Sequence, residues 1–104
     1  MAVAKEYQFD FDDQIIAGYN KALAHAARVQ IVAFLREHRI LSYSQIRKHV
    51  PLSETSFRRH LRMLERFSLL HRTGLPSGEA GFTLNDAALA EFLAAVEQRF
   101  RQKL

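Results

Sequence analysis

The sequence predicts a mainly α-helical fold with one small β-hairpin near its carboxyl end. Apolar residues recur at helical spacing from Asp13 to Phe67 and again after Asn85. Between these regions, two short apolar runs flank the Gly-containing loop GLPSGEAG, as in a hairpin. A chain of 104 residues with 48% hydrophobic content can bury one core but hardly two. We therefore predict a single domain over residues 1–104.

The amino-terminal third predicts an arm followed by two helices. Residues Met1 to Asp10 form the arm, and Asp12 is placed to cap the first helix. The helical pattern then continues from Asp13 to Arg39, which is unusually long for one helix in a small domain. We place a break near Ala24 to Ala26, although neither Pro nor Gly marks it.

Two short helices joined by a tight turn are predicted next. Ser42 can cap the first, with Gln45 as its capping-box partner, and Pro51 prevents that helix from continuing. Ser53 can cap the second helix. That second helix has an apolar face and a polar face, formed by Phe57, Leu61 and Leu64 on one side and by Thr55, Arg58, Arg59, Arg62 and Arg66 on the other.

A hairpin and a last helix complete the predicted order. Strands are expected at Leu69 to Thr73 and at Phe82 to Leu84, and Asn85 can cap a helix that begins at Asp86. A hairpin directly after the second helix of a helix-turn-helix is the addition that defines a winged helix. The predicted fold is a winged helix-turn-helix with the order α-α-α-α-β-β-α, whose second short helix lies in a DNA major groove.

Positive charge is concentrated in and beside the predicted helix-turn-helix. The stretch from Arg47 to Arg72 contains seven Lys or Arg and two acids, a net charge of +5, against +4 for the whole chain. Essentially all of the excess positive charge therefore lies in and beside the helix-turn-helix, as binding to a polyanion requires. The alternative is a solvated basic surface with no ligand.

Composition and motifs exclude several other classes. There is no Cys, so disulfides, thiolate metal ligands and a thiol redox switch are excluded. No apolar run is long enough to span a bilayer, and the first residues lack the core of a signal peptide, so we expect a soluble cytoplasmic protein without a membrane partner. There is no phosphate loop, nucleophile elbow or HExxH pair, and we expect neither an enzyme nor a bound metal or cofactor.

Two segments between Leu23 and Leu84 resemble the ArsR family of bacterial winged-helix repressors. LAHAARVQIVAFL is similar to the family's Leu-Ala-Asp-Pro-Thr-Arg-x-x-Ile-x-x-x-Leu, and LSETSFRRHLRMLERFSLLHR to its Leu-Ser-x-Ser-Thr-Val-Ser-x-His-Leu-x-x-Leu-x-x-x-Gly-Leu-Val. The resemblance implies a homodimer that represses transcription. It also implies DNA contacts by Thr55, Ser56, Arg58 and Arg59, with Ser53 near a phosphate and Arg72 at the start of the wing.

The chain departs from this family pattern at several positions. Many relatives bind metal through a Cys-x-Cys pair or through Asp and His on the last helix, and this chain lacks both sets. Ser68 replaces the usual Gly after the second helix. The wing tip, Gly74 to Gly81, contains Glu79 and no Arg, so we expect no strong contact between the tip and a minor groove.

The basic residues divide into two expected roles. Arg58 and Arg59 are the leading candidates for base contacts, because Arg can donate two hydrogen bonds to guanine O6 and N7. Contacts that hold the DNA backbone are expected from Arg47, Lys48, Arg62 and Arg66. His60 lies at the edge of the apolar face, where packing or a phosphate contact is expected rather than metal ligation.

The terminal helices predict contact with a second copy of the chain. Their apolar surface exceeds what a thin core needs, and we expect the dimer interface to contain Ile16, Tyr19, Leu93, Val96 and Phe100. A two-fold dimer would place two DNA-contacting helices about 34 Å apart, matching a palindromic operator. The alternative is that these helices only close the core of the monomer.

The sequence thus predicts a sequence-specific DNA-binding transcriptional regulator, a homodimeric ArsR-like repressor without the family's cysteine metal site. The sequence identifies no effector ligand. The alternative is a winged helix used as a protein–protein interaction or assembly module, which would leave the basic face of the second helix unused.

Overall fold

The computed structural model describes residues 9–101, so the predicted arm lies almost entirely outside the described residues. Within this range the chain forms helices at α1 Phe11–Ala22, α2 Ala26–Glu37, α3 Tyr43–His49, α4 Glu54–Arg66 and α5 Asp86–Phe100. The strands are β1 Leu41–Ser42, β2 Leu70–Gly74 and β3 Ala80–Leu84. The predicted mainly helical fold with a hairpin between α4 and α5 is confirmed.

The break between α1 and α2 lies where it was predicted, and an unusual cap produces it. His25 is the N-cap of α2, and its Nδ1 accepts a hydrogen bond of 3.2 Å from the Ala27 backbone amide. One guanidinium nitrogen of Arg28 donates to the last carbonyls of α1, including that of Lys21 at 3.2 Å. An imidazole cap and an arginine contact therefore end one helix and begin the next without Pro or Gly.

The start of α1 differs from the prediction. The helix begins at Phe11, with Asp10 as N-cap, whereas the sequence predicted a cap at Asp12. The Asp10 side chain makes no capping hydrogen bond, and Asp12 and Asp13 lie in the first turn. Acidic side chains there stabilise the positive end of the helix dipole, so their charge serves α1 although the capping prediction was wrong.

The predicted caps of the three later helices are confirmed. Ser42 forms a capping box with Gln45, in which the serine oxygen accepts from the Gln45 amide and the Gln45 side chain accepts from the Ser42 amide. The Ser53 hydroxyl accepts from the Ser56 amide at the start of α4, and the Asn85 side chain accepts from the Ala88 amide at the start of α5. These bonds fix where α3, α4 and α5 begin.

The three strands form one antiparallel sheet in the order β1-β3-β2. Leu70 pairs with Leu84 at one end of the hairpin, and Leu41 of β1 pairs with Phe82 on the other edge of β3. Both hairpin strands extend further toward the loop than predicted. The strand β1 was not predicted, because two residues are too few to show an alternating pattern.

The carboxyl end of α4 is closed by Ser68, which has a left-handed φ of 61°. Its amide donates to the Glu65 carbonyl at 2.9 Å, and the Leu69 amide donates to the Leu64 carbonyl at 3.0 Å, which together form a Schellman motif. The Asn85 side-chain amide donates to the Ser68 carbonyl at 2.8 Å. The end of α4 is thereby joined to the start of α5.

The core lies between α2, α3, α4 and the sheet. Its fully buried large side chains are Ile31, Leu35, Ile46, Val50, Phe57, Leu64, Leu69 and Phe82. The first and last helices pack against each other, with the Tyr19 and Phe92 rings 5.9 Å apart and an ion pair of 2.6 Å between Asp13 and Arg99. Among residues 9–101, no helix has both the length and the apolar character needed to cross a membrane.

Candidate nucleic-acid interface

The second helix of the helix-turn-helix, α4, has one buried face and one face open to solvent. Phe57, His60, Leu61 and Leu64 are buried against the core. Because an α-helix repeats about every 3.6 residues, the opposite side carries a row of four exposed residues, which we call the outer row. The outer row consists of Thr55, Arg59, Arg62 and Arg66.

Two guanidinium groups of the outer row are unpaired. Neither Arg59 nor Arg62 makes a side-chain hydrogen bond or ion pair with any residue that the structure describes, and Arg66 makes only a 3.9 Å contact with the Met63 sulfur. A phosphate or a base edge could therefore bind Arg59 and Arg62 without first displacing a carboxylate.

The arginine predicted alongside Arg59 has a different environment. Arg58 lies on the side of α4 that faces α3 and the wing, where it forms a 3.3 Å ion pair with Glu54. Its Nε donates to the Tyr43 hydroxyl at 3.3 Å, and its guanidinium carbon lies 5.7 Å from the centre of the Tyr43 ring. The hydrogen bond to Tyr43 and the charge of Glu54 raise the pKa of Arg58. Glu54 and Arg58, with Glu65 further along, form what we call the wing-side row.

Arg72 connects the wing to this row. Its guanidinium donates two hydrogen bonds, of 2.9 and 3.1 Å, to the carboxylate of Glu65 and lies 5.1 Å from the centre of the Phe82 ring. The hydrogen bonds to Glu65 raise the pKa of Arg72. This residue, predicted to contact DNA at the start of the wing, also holds β2 against α4.

The loop of the wing is attached to α3. The Glu79 carboxylate accepts hydrogen bonds from the Ser44 amide at 3.1 Å and from the Ser44 hydroxyl at 2.9 Å, which lower the pKa of Glu79. A cleft of ≈ 410 Å³ separates α3, α4 and the wing. Tyr43, Arg58, Arg62 and Arg72 all line it. The sequence predicted no role for Glu79 inside the chain, because the contact depends on the tertiary position of Ser44.

The other predicted DNA contacts have mixed exposure. Lys48 and Ser53 are exposed, and Ser56 is partly buried. Arg47 is also partly buried, where it donates to the Val50 carbonyl at 3.3 Å and lies 5.7 Å from the centre of the Phe57 ring. Arg47 therefore packs from α3 against Phe57 of α4, a role that its charge alone did not reveal.

His60 is part of the core. It is 3% exposed, its Nδ1 accepts a 3.0 Å hydrogen bond from the Arg28 Nε, and its ring lies 4.3 Å from the His25 ring. Burial first, and then the charges of His25, Arg28 and Arg59, lower its pKa. The packing role is confirmed, and the phosphate contact was wrong because almost no surface remains. Within the described range, no three His, Cys, Asp or Glu residues are grouped to hold a metal ion.

The residues predicted for a dimer interface lie on α1 and α5. Leu93 and Phe100 are 53% and 69% exposed, and Val96 is partly buried. Ile16 is 9% exposed within the single chain, and Tyr19 packs against Phe92 and donates to Glu91 at 3.1 Å. Ile16 and Tyr19 therefore have less free surface than the other three, and the homodimer stays a prediction.

Comparisons with known proteins give matches among solved structures. No protein-family model and no curated protein matches the sequence. The transcriptional repressor BigR from Xylella fastidiosa has a similar structure, with a TM-score of 0.70 and 16% identity over 96% of this chain and 100% of that one. An ArsR-like transcriptional regulator from Rhodococcus sp. RHA1 gives a TM-score of 0.69 and 22% identity, over 84% of this chain and 80% of that one.

HlyU from Vibrio cholerae is similar as well, with a TM-score of 0.67 and 21% identity over 90% of this chain and 100% of that one. These three matches cover between 84% and 96% of this chain. The chain therefore has the winged helix-turn-helix fold of ArsR-family transcriptional regulators.

Proposed function

We propose that the chain is a sequence-specific DNA-binding transcriptional regulator whose α4 helix enters the major groove. One observation carries this proposal: Arg59 and Arg62 are exposed and unpaired within the described residues, on the side of α4 opposite the core. The second helix of a helix-turn-helix contacts bases with its amino-terminal half. Thr55 and Arg59 lie in that half and are our candidates for base contacts.

Other residues around α4 are suited to the DNA backbone. Ser53 is the exposed N-cap of α4, Lys48 is exposed in the last turn of α3, and Arg62 and Arg66 continue the outer row toward the end of α4. Contacts of this kind set affinity and position without sequence information. The excess positive charge between Arg47 and Arg72 supplies the long-range attraction to the duplex.

We further propose a homodimer that represses transcription by occupying a palindromic operator. Large apolar side chains remain exposed on the terminal helices, with Phe11 at 71%, Leu93 at 53% and Phe100 at 69%. A second copy would remove this surface from water. Repression is supported by the fold shared with BigR, which is named a transcriptional repressor. A regulator of this kind would act in the cytoplasm, as the sequence predicts.

Selection of random duplexes on the purified protein tests the proposal. We expect enrichment of a palindrome with half-sites about one helical turn apart. If no sequence is enriched, the protein–protein interaction module becomes the better account, with the terminal helices as its binding surface.

A further inference from the structure

The contacts of Arg58 restrain its side chain more than the stability of the fold requires. An exposed arginine on a surface helix usually samples many rotamers, and ordering such a side chain costs free energy. Arg58 is instead in contact with two polar partners from different elements, Tyr43 on α3 and Glu54 one turn earlier on α4. The side chains of Arg58 and Glu54 are 60% and 61% exposed, so their ion pair contributes little to stability.

Tyr43 is itself held firmly. It is the first residue of α3, directly after the Ser42 capping box, and Ser42 pairs with Gly81 in the sheet. Its ring packs at 5.1 Å, edge to face, against Phe57, which is completely buried. The Tyr43 hydroxyl is therefore an acceptor whose position is fixed relative to the core. Its hydrogen bond with the Arg58 Nε fixes the position of Arg58 in turn.

The hydrogen-bond capacity of Arg58 shows what this arrangement leaves available. A guanidinium has five N–H donors. One is directed at Tyr43 and one at Glu54, which leaves three for a ligand. A bidentate contact with guanine O6 and N7 needs two. The two partners thus restrict the rotation of the guanidinium and still leave the donors that a guanine requires.

We propose that Tyr43 and Glu54 are positioning residues that hold Arg58 ready to bind a guanine in the major groove. This inference rests on the proposed function, since it assigns the specificity of the same surface. It also gives Glu54 a role in discrimination, beside the stabilisation that an acidic first turn gives the positive end of α4. Because the Glu54 carboxylate repels phosphate, removing its charge should strengthen binding to any duplex.

The test uses the sequence selected by the wild-type protein. Exchange of the G·C pair that Arg58 contacts should weaken wild-type binding roughly fivefold or more, and that pair is identified as the one in a half-site whose penalty disappears in Arg58→Ala. In Tyr43→Phe, which keeps the ring and removes the hydroxyl, we expect that penalty to fall by about two- to tenfold, the cost of ordering one side chain. The penalties at the other base pairs should not change.

Arg36→Ala is the control, because it removes an exposed polar side chain of α2, beside Asp86 and Leu89 and outside α3, α4 and the wing. It should leave discrimination at every base pair unchanged. In an Arg58→Ala background, Tyr43→Phe should have no further effect, since the group it positions is gone. Equal effects of Tyr43→Phe in both backgrounds would overturn the inference.

Glu54→Gln gives a signature that structural damage would not produce. Removing the negative charge should raise affinity for a non-specific duplex, while the penalty for exchanging the chosen G·C pair falls. If the non-specific affinity rises but the penalty for exchanging the chosen G·C pair stays unchanged, the role of Glu54 is overturned. If the wild-type protein selects no sequence at all, the proposed function fails. If it selects one and the Tyr43→Phe penalty matches the wild-type penalty, only this inference fails.

Discussion

The two rows of α4 carry the same kind of side chain in opposite situations. In the outer row, Arg59 and Arg62 are unpaired within the described residues. In the wing-side row, Arg58 is paired with Glu54, and Glu65 is paired with Arg72 of the wing. One helix thus presents free positive charge on one side and positioned charge on the other. The comparison shows that two neighbouring arginines, Arg58 and Arg59, have different environments on the same helix.

The largest effect that follows from this comparison is a dependence of binding on salt. If the outer row and its basic neighbours neutralise six or more phosphates per dimer, affinity should fall on the order of 10³-fold or more between 50 and 200 mM salt. Fluorescence anisotropy with a labelled duplex measures this. Affinity that is independent of salt would show that phosphates are not the ligand.

The second prediction separates the rows by mutation. Arg59→Ala should weaken binding to the selected duplex by about 1–3 kcal/mol and leave thermal stability nearly unchanged, because the side chain makes no hydrogen bond or ion pair within the described residues. Arg36→Ala is the control, since Arg36 is an exposed helical arginine beside Asp86 and Leu89, away from the outer row. Equal affinity of the Arg59 variant and the control in a gel-shift assay would remove Arg59 from the interface.

The third prediction concerns the end of α4, which both rows share. Ser68 has a left-handed backbone conformation that costs a residue with a Cβ about 1–2 kcal/mol. Ser68→Gly should raise the free energy of unfolding by about 0.5–1 kcal/mol, because the greater entropy of unfolded glycine offsets part of the relief. Ser68→Ala keeps the Cβ and should bring no such gain. Urea denaturation of the wild-type protein and the two variants measures the free energy of unfolding. A lower value for Ser68→Gly than for the wild type would contradict the expected gain.

The smallest expected effect involves the buried face of α4 and is a pH dependence of stability. Burial first, and then the charges of His25, Arg28 and Arg59, lower the pKa of His60 in the folded chain, and the Arg28 Nε donates to its Nδ1. The unfolded chain therefore binds the proton more tightly, so stability is fully present above the unfolded pKa of about 6.5 and declines as the pH falls below it.

The melting temperature should therefore drop between pH 7.5 and pH 5 in the wild-type protein. In His60→Asn, whose side-chain oxygen can still accept from Arg28 Nε, the drop should be smaller. Other groups titrate in the same range, and the difference between the two slopes is the quantity to compare. Identical slopes would mean that His60 does not control the pH dependence.

Local signals made most of the fold predictable. Ser42 with Gln45, Ser53 and Asn85 are caps whose chemistry is visible in the sequence, and each caps the predicted helix. The two-residue strand β1 and the histidine cap at His25 were harder to predict. A strand of two residues has no period, and His is not among the residues that usually cap helices.

The candidate site was predictable in composition but not in pairing. The polar face of α4 followed from helical periodicity, and exposure of Arg59 and Arg62 agrees with it. Sequence periodicity could not show that Arg58 meets Tyr43, that Arg72 meets Glu65, or that Arg47 packs over Phe57. Those contacts join residues from different elements and depend on how the elements pack.

The central claim, that the outer row of α4 enters DNA, is tested most directly by NMR of the arginine side chains during titration with the selected duplex. We expect the Nε–H signals of Arg59 and Arg62 to shift on binding, while those of Arg36 and of Arg99 in its ion pair with Asp13 stay in place. Shifts confined to α1 and α5, with Arg59 and Arg62 unmoved, would contradict the claim.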